Sequence, residues 1–181
     1  MKLIPSKLSD AFLVEPKVFE DARGFFMESY SRRAFEEHGI DITFVQDNHS
    51  LSRAQGVLRG LHFQRPPHAQ CKLLRVTRGA VYDVIVDLRK DSATFGAWEG
   101  FELSEENRRM LLVPKGFAHG FCTVRPDTEV MYKVDEFYMP AHDSGILWND
   151  PEIGIRWPVE SPVLSEKDRK LPRMAEIETP F

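Results

Sequence analysis

Eleven Gly and 12 Pro are spread evenly along the 181 residues and cut the chain into short apolar runs. Many of those runs alternate apolar with polar side chains. Short alternating segments rich in Val, Phe and Tyr, bounded by turn residues, predict an all-β sandwich or barrel. Strands are expected over residues 24–30, 43–52, 57–63, 71–78, 80–88, 97–103, 109–113, 118–124 and 129–138. Helix is scarce. Residues 31–38 carry a Ser31 N-cap and end at Gly39. A shorter turn is expected over 165–170, and an irregular segment follows Asn149-Asp150-Pro151.

Length and composition narrow the class. One domain over 1–181 is expected, and a chain this long buries roughly 70% of its unfolded surface. A hydrophobic fraction of 42% with 29% charged residues excludes a disordered chain. No run approaches the ~18 apolar residues of a membrane span. The formal net charge of −4 comes without a basic stripe, which argues against a nucleic-acid partner. Two cysteines, Cys71 and Cys122, form no CxxC pair or disulfide framework. Residues 1–7 lack a signal-peptide core, so the expected compartment is the cytoplasm.

Strand alternation puts polar side chains on apolar faces. Lys72 falls with Leu74 and Val76, Asp83 with Val81 and Ile85, and Tyr132 with Val130 and Val134. Gln46 and Asn48 fall with Phe44, His119 with Phe117 and Phe121, and Glu28 with Phe26. One such residue is ordinarily a satisfied core group. Six strands with the same anomaly point to a polar cavity at a barrel mouth. Strands buried on both faces would remove that argument.

The run Pro114-Lys115-Gly116-Phe117-Ala118-His119 is similar to the second half of the cupin signature, a turn followed by an inward His. The His-x-His of metal-binding cupins corresponds to His62-Phe63-Gln64, with Gln64 at the second ligand position. A catalytic metal normally takes about three protein ligands. Only His62 and His119 can be assembled, so no metal and no other cofactor is expected.

A longer series of motifs resembles the dTDP-4-dehydrorhamnose 3,5-epimerase family. It comprises residues 21–28 (DARGFFME), 44–50 (FVQDNHS), 56–64 (GVLRGLHFQ), 70–76 (QCKLLRV), 83–89 (DVIVDLR) and 116–121 (GFAHGF). Tyr132-Lys133, 146–151 (ILWNDP) and 164–168 (LSEKD) complete it. The series runs nearly the whole chain in order. The resemblance implies a cupin-type jelly roll, metal-independent and homodimeric, acting on a dTDP-linked 4-keto-6-deoxyhexose and inverting C3 and C5.

Both carbons flank the C4 ketone, so the reaction needs a base, a group to hold the enolate oxygen, and an acid on the opposite ring face. His62 matches the family's base, and the resemblance makes Asp168 its orienting carboxylate. Lys72 fits the enolate stabiliser and Tyr132 the acid. His119 and Asp83 form a supporting pair. Arg23, Arg59 and Lys167 match diphosphate-binding positions, and Glu28, Gln46 and Asn48 match positions near nucleotide or sugar. Family members often carry Glu where this chain has Asp143, a shorter reach toward the ligand. Two other readings stay open: an epimerase or isomerase acting at one carbon, and a non-catalytic cupin that binds nucleotide sugars.

Overall fold

A computed structural model describes residues 1–181. The strands, in chain order, are β1 (Lys2–Pro5), β2 (Phe12–Glu15), β3 (Val18–Asp21), β4 (Gly24–Met27), β5 (Gln46–Ser52), β6 (Leu58–Gln64) and β7 (Lys72–Arg78). They continue as β8 (Ala80–Asp87), β9 (Trp98–Ser104), β10 (Met110–Val113), β11 (Phe117–Thr123), β12 (Thr128–Val134) and β13 (Asp143–Gly145). Helices are short: α1 (Arg32–Glu36), α2 (Glu166–Arg169) and two 3-10 turns. One sheet has the order β1-β2-β10-β7-β12-β5 and the other β13-β6-β11-β8-β9. The β3–β4 hairpin pairs only with itself. This is the expected all-β, cupin-type jelly roll with short peripheral helices.

Leu74, Val76 and Val130 from the first sheet meet Val81, Ile85, Phe117 and Phe121 from the second in the central core. Two further clusters cover the outer faces. Val14, Leu73, Met110 and Leu112 lie under Phe35 of α1 and the partly buried Tyr30 and Phe44. Val84, Val86 and Ala118 lie under Ile146, Ile153 and the partly buried Trp157 and Phe181 of the C-terminal segment. Consequently β10 and β11 are buried throughout. Along those strands alternation separates one core from another, not core from solvent.

Alternation nevertheless carries Lys72, Asp83, His119 and Tyr132 inward with the apolar neighbours expected of them. It fails at two places. The expected strand over 24–30 stops at Met27, Phe26 is 67% exposed, and Glu28 lies beyond the strand end on the surface. The expected strand over 43–52 starts at Gln46, so Phe44 joins the outer cluster instead of facing inward with Gln46 and Asn48. The segment expected over 129–138 ends at Val134. There the Asp135 carboxylate leaves the ladder, accepts from the Cys71 N–H at 2.7 Å and pairs with Lys115. Around α1, Ser31 sits at the N-cap position without a side-chain bond, and Gly39, at φ +78°, ends the turn. No helix is long and apolar enough to cross a membrane.

Two features aim the chain at one end of the sandwich. Strands β6 and β11 cross unusually closely: a Cβ on Gly60, itself at φ +131°, would lie 2.6 Å from the Gly120 Cα. That approach needs glycine on both strands. It brings His62 and His119 directly opposite one another, just before a register shift between His119 and Phe121. The C-terminal segment then returns alongside β6. Leu58 N–H donates to Val163 O and Val163 N–H to Gly56 O, which delivers α2 to the level of His62.

Candidate active site

A cavity of about 270 Å³ opens between the two sheets. His62 on β6 and His119 on β11 form one wall. Lys72 on β7 and Tyr132 on β12 form the other, with α2 closing the rim through Lys167 and Asp168. Cavities that hold small ligands are commonly about 300 Å³ and larger, with a few convergent polar groups. This one has such groups on both walls.

His62 Nε2 lies 2.5 Å from Asp168 Oδ1. The carboxylate is 5% exposed and the imidazole 30%, so the ring reaches the cavity while its partner is shielded. Burial pushes the Asp168 carboxyl up, but hydrogen bonds from His62 and Ser165 outweigh burial and hold it below the usual carboxylate range. Asp168 is therefore an anion at neutral pH, and it orients the ring across 106 residues of sequence.

Beside this pair, His119 Nε2 sits 2.9 and 3.1 Å from the two oxygens of Asp83. Asp83 is fully buried, and burial raises its pKa against the opposing pull of His119 and Lys72. Lys72 is 9% exposed, and the one hydrogen bond of its ammonium within the chain is a long one, 3.4 Å to the His62 carbonyl. Burial pushes its pKa down to about 8, against the pull of Asp83 and Asp143. A lysine so poorly satisfied gains most from an anion forming nearby. Across the cavity, burial raises the Tyr132 phenol, partly offset by Arg59, so it keeps its proton at neutral pH.

Of the other expected site residues, Arg59 lines the cavity and donates to Ser52 Oγ and the Leu51 carbonyl. Lys167 pairs with Asp143, which also accepts from the Tyr138 hydroxyl at 3.0 Å. Asp143 thus braces the rim and does not line the cavity itself. Gln46 donates to Asn48 at 2.9 Å, and Asn48 stands opposite Tyr132 in the ladder. Arg23 and Glu28 are not brought together with the rest. Arg23 is bound to Asp21 on the exposed hairpin, and Glu28 lies by Lys17 and Ser31.

Three residues at the site escaped the sequence reading. Ser50 follows Gln46 and Asn48 at strand period and could have been read from it. Ser165 is the N-cap of α2, foreshadowed by its Ser-x-x-Asp spacing. Tyr138 carries no local signal. Gln64, at the second position of the His-x-His pattern, is a structural clamp. Its amide donates to the carbonyls of His68 and Phe137 and accepts from Met139 N–H. No three His, Cys, Asp or Glu side chains meet in a geometry suited to a metal ion.

An imidazole paired with a carboxylate on one wall, with a phenol and an ammonium on the facing sheet, suits an isomerase that removes a proton beside a carbonyl and returns it to the other face. Residues 5–176 match the dTDP-4-dehydrorhamnose 3,5-epimerase family, and the chain belongs to it. A curated relative of that name from Shigella flexneri is 53% identical over 93% of both chains. The crystal structure of the Bacillus anthracis enzyme, with TDP and PPi bound, is 60% identical and superposes with a TM-score of 0.94 over 96% of this chain and 99% of that one. A Legionella pneumophila relative, solved in complex with dTDP-4-keto-L-rhamnose, is 42% identical, with a TM-score of 0.93 over 98% of this chain and 94% of that one.

Proposed function

We propose that this chain converts dTDP-4-dehydro-6-deoxy-D-glucose to dTDP-4-dehydro-L-rhamnose by inverting C3 and C5. His62, oriented by Asp168, removes the proton from a carbon next to the C4 ketone. The charge moves to the C4 oxygen, where Lys72 stabilises the enolate more than the neutral ketone. Tyr132 returns a proton to the other ring face. Asp83, behind the wall, holds His119 fixed beside His62. Arg59 and Lys167 bind the diphosphate, Arg59 through a guanidinium suited to bidentate contact and Lys167 as a point charge.

The observation that carries this reading is the division of labour between sheets: His62 and Tyr132 stand on opposite walls of one cavity. A one-walled arrangement could remove a proton and return it only to the same face. The deciding experiment is incubation with the 4-keto-6-deoxyglucose nucleotide in D2O, followed by NMR. Deuterium at C3 and C5 with inversion at both is expected. Deuterium at one carbon only would make the chain a single-site epimerase, and none would make it a binding module.

The active unit in this reading is a homodimer. Hairpin β3–β4 exposes Phe19, Phe25 and Phe26 and pairs with neither sheet; Arg108 ties it to the sandwich through Glu20 and the Phe25 ring. A lone two-stranded hairpin is marginal in water. Its Arg23 and Glu28 lie away from the cavity of their own chain, so a second copy is the surface that would cover the phenylalanines and use both polar groups.

A further inference from the structure

Ser165 has one hydroxyl proton and two jobs. Its oxygen accepts from the Asp168 backbone N–H at 3.1 Å, and its proton goes to Asp168 Oδ2 at 2.8 Å. Its only proton is thereby committed to Asp168, although the hydroxyl borders the cavity. Asp168 is tied at three points as a result. Its N–H and Oδ2 are bound to Ser165, which leaves Oδ1 for His62 Nε2 at 2.5 Å. With Oδ2 engaged, the carboxylate cannot turn without breaking a bond to a shielded anion. An ionised carboxylate only accepts, so the imidazole must be the donor, with its proton on Nε2.

We propose that Ser165 is a positioning residue that locks His62 in its Nε2–H tautomer and so makes Nδ1 the atom that takes the substrate proton. The inference rests on the reading of His62 as the base. When the proton arrives on Nδ1, the ring becomes an imidazolium with both nitrogens protonated, and Asp168 remains an anion throughout. Without the Ser165 hydroxyl, Oδ2 loses its partner and the carboxylate is free to rotate. The neutral ring then samples both tautomers, and the fraction with a free Nδ1 lone pair falls. Mispositioning of this kind slows the chemical step and leaves substrate affinity intact.

Three variants separate this role from a merely structural one. Ser165→Thr keeps both the cap and the donated proton. Ser165→Gly keeps most of the cap, since Gly at that position is only a few tenths of a kcal/mol weaker, but loses the donated proton. His62→Ala removes the base. For Ser165→Gly the expected result is a fall in kcat on the order of tenfold with KM unchanged and the same melting temperature. Ser165→Thr should stay within about threefold of wild type. In 15N-resolved NMR of the ring nitrogens, the resonance absent from His62→Ala should report Nε2–H in wild type and Ser165→Thr, and mixed tautomers in Ser165→Gly. An unchanged kcat and tautomer in Ser165→Gly would overturn the role of Ser165 while leaving His62 as the base. An Nδ1–H tautomer in wild type would also overturn it. Retained C–H exchange in His62→Ala would overturn the reading of His62 itself, which is a distinguishable failure.

Discussion

Two side chains bear on what the site can do at the level of single groups. Tyr132 holds its proton because burial disfavours the phenolate. An enolate is basic enough to take that proton, so removing the hydroxyl should stop delivery to the far face without stopping abstraction. Tyr132→Phe is therefore expected to keep deuterium wash-in near the wild-type rate and to lose inversion by about 100-fold. Equal loss of both, followed by NMR in D2O, would make Tyr132 a binding residue. Lys72 bears on the metal question. It is a buried positive charge already, and a divalent ion beside it would add like-charge repulsion in a small space. Full activity is expected after exhaustive EDTA treatment. Loss on chelation, restored by one divalent ion, would transfer the role of Lys72 to a metal.

The ends of the strands hold both the site and much of the stability. Asp87 closes β8 with a fully buried carboxylate that accepts from Arg89 side chain and backbone, Ser92 and Thr94. Burial alone would raise its pKa, but these donors overcome it and bring the group to about 2, from an ordinary 3.8. A carboxylate depressed in the folded state adds stability above its unfolded pKa and loses it as pH falls through the folded one. Asp87→Asn should thus lower stability by about 3 kcal/mol at pH 7, and the gap from wild type should narrow below pH 4, as urea titrations at both pH values would show. The elements themselves were legible in the sequence where period two was strong. Strands β5 to β9, β11 and β12 follow from it, β10 follows from a continuous apolar run instead, and Lys72, Asp83, His119 and Tyr132 could be aimed inward by counting alone. Strands β1, β2 and β3, four residues each, give too few alternations to count, and the equally short β4 and β10 were legible only as apolar runs. Strand β13, Asp-Ser-Gly, is a strand only because β6 pairs with it. The His62–Asp168 pair was reachable only through the family pattern, since no local periodicity links positions on β6 and α2. The rim bond between Asp143 and Tyr138 had no signal at all.

At the scale of the whole molecule, the hairpin makes association testable. Replacing Phe25 and Phe26, 55% and 67% exposed, by Ser removes apolar surface that touches no core of this chain. The Phe25→Ser/Phe26→Ser double variant should keep the melting profile of the β-sandwich. In sedimentation it should run as a monomer, and its KM should rise at least about tenfold as Arg23 and Glu28 lose their place in a second cavity. A dimer with unchanged KM would remove the hairpin from that role. The arrival of α2 from the far end of the chain has a temporal consequence. The tail joins the sheets through one isolated bridge at Val57 and not through a ladder, so its docking gains little until the strands it lies on are in place. The two sheets can assemble from β1 to β13 before the tail lies down along Val57 and brings Asp168 to His62. In a refolding time course, tryptophan-independent far-ultraviolet signal should plateau first and turnover should appear with a lag, so that catalysis itself becomes the clock for the last docking event. A turnover trace that superimposes on the far-ultraviolet trace would mean that tail and sheets form together.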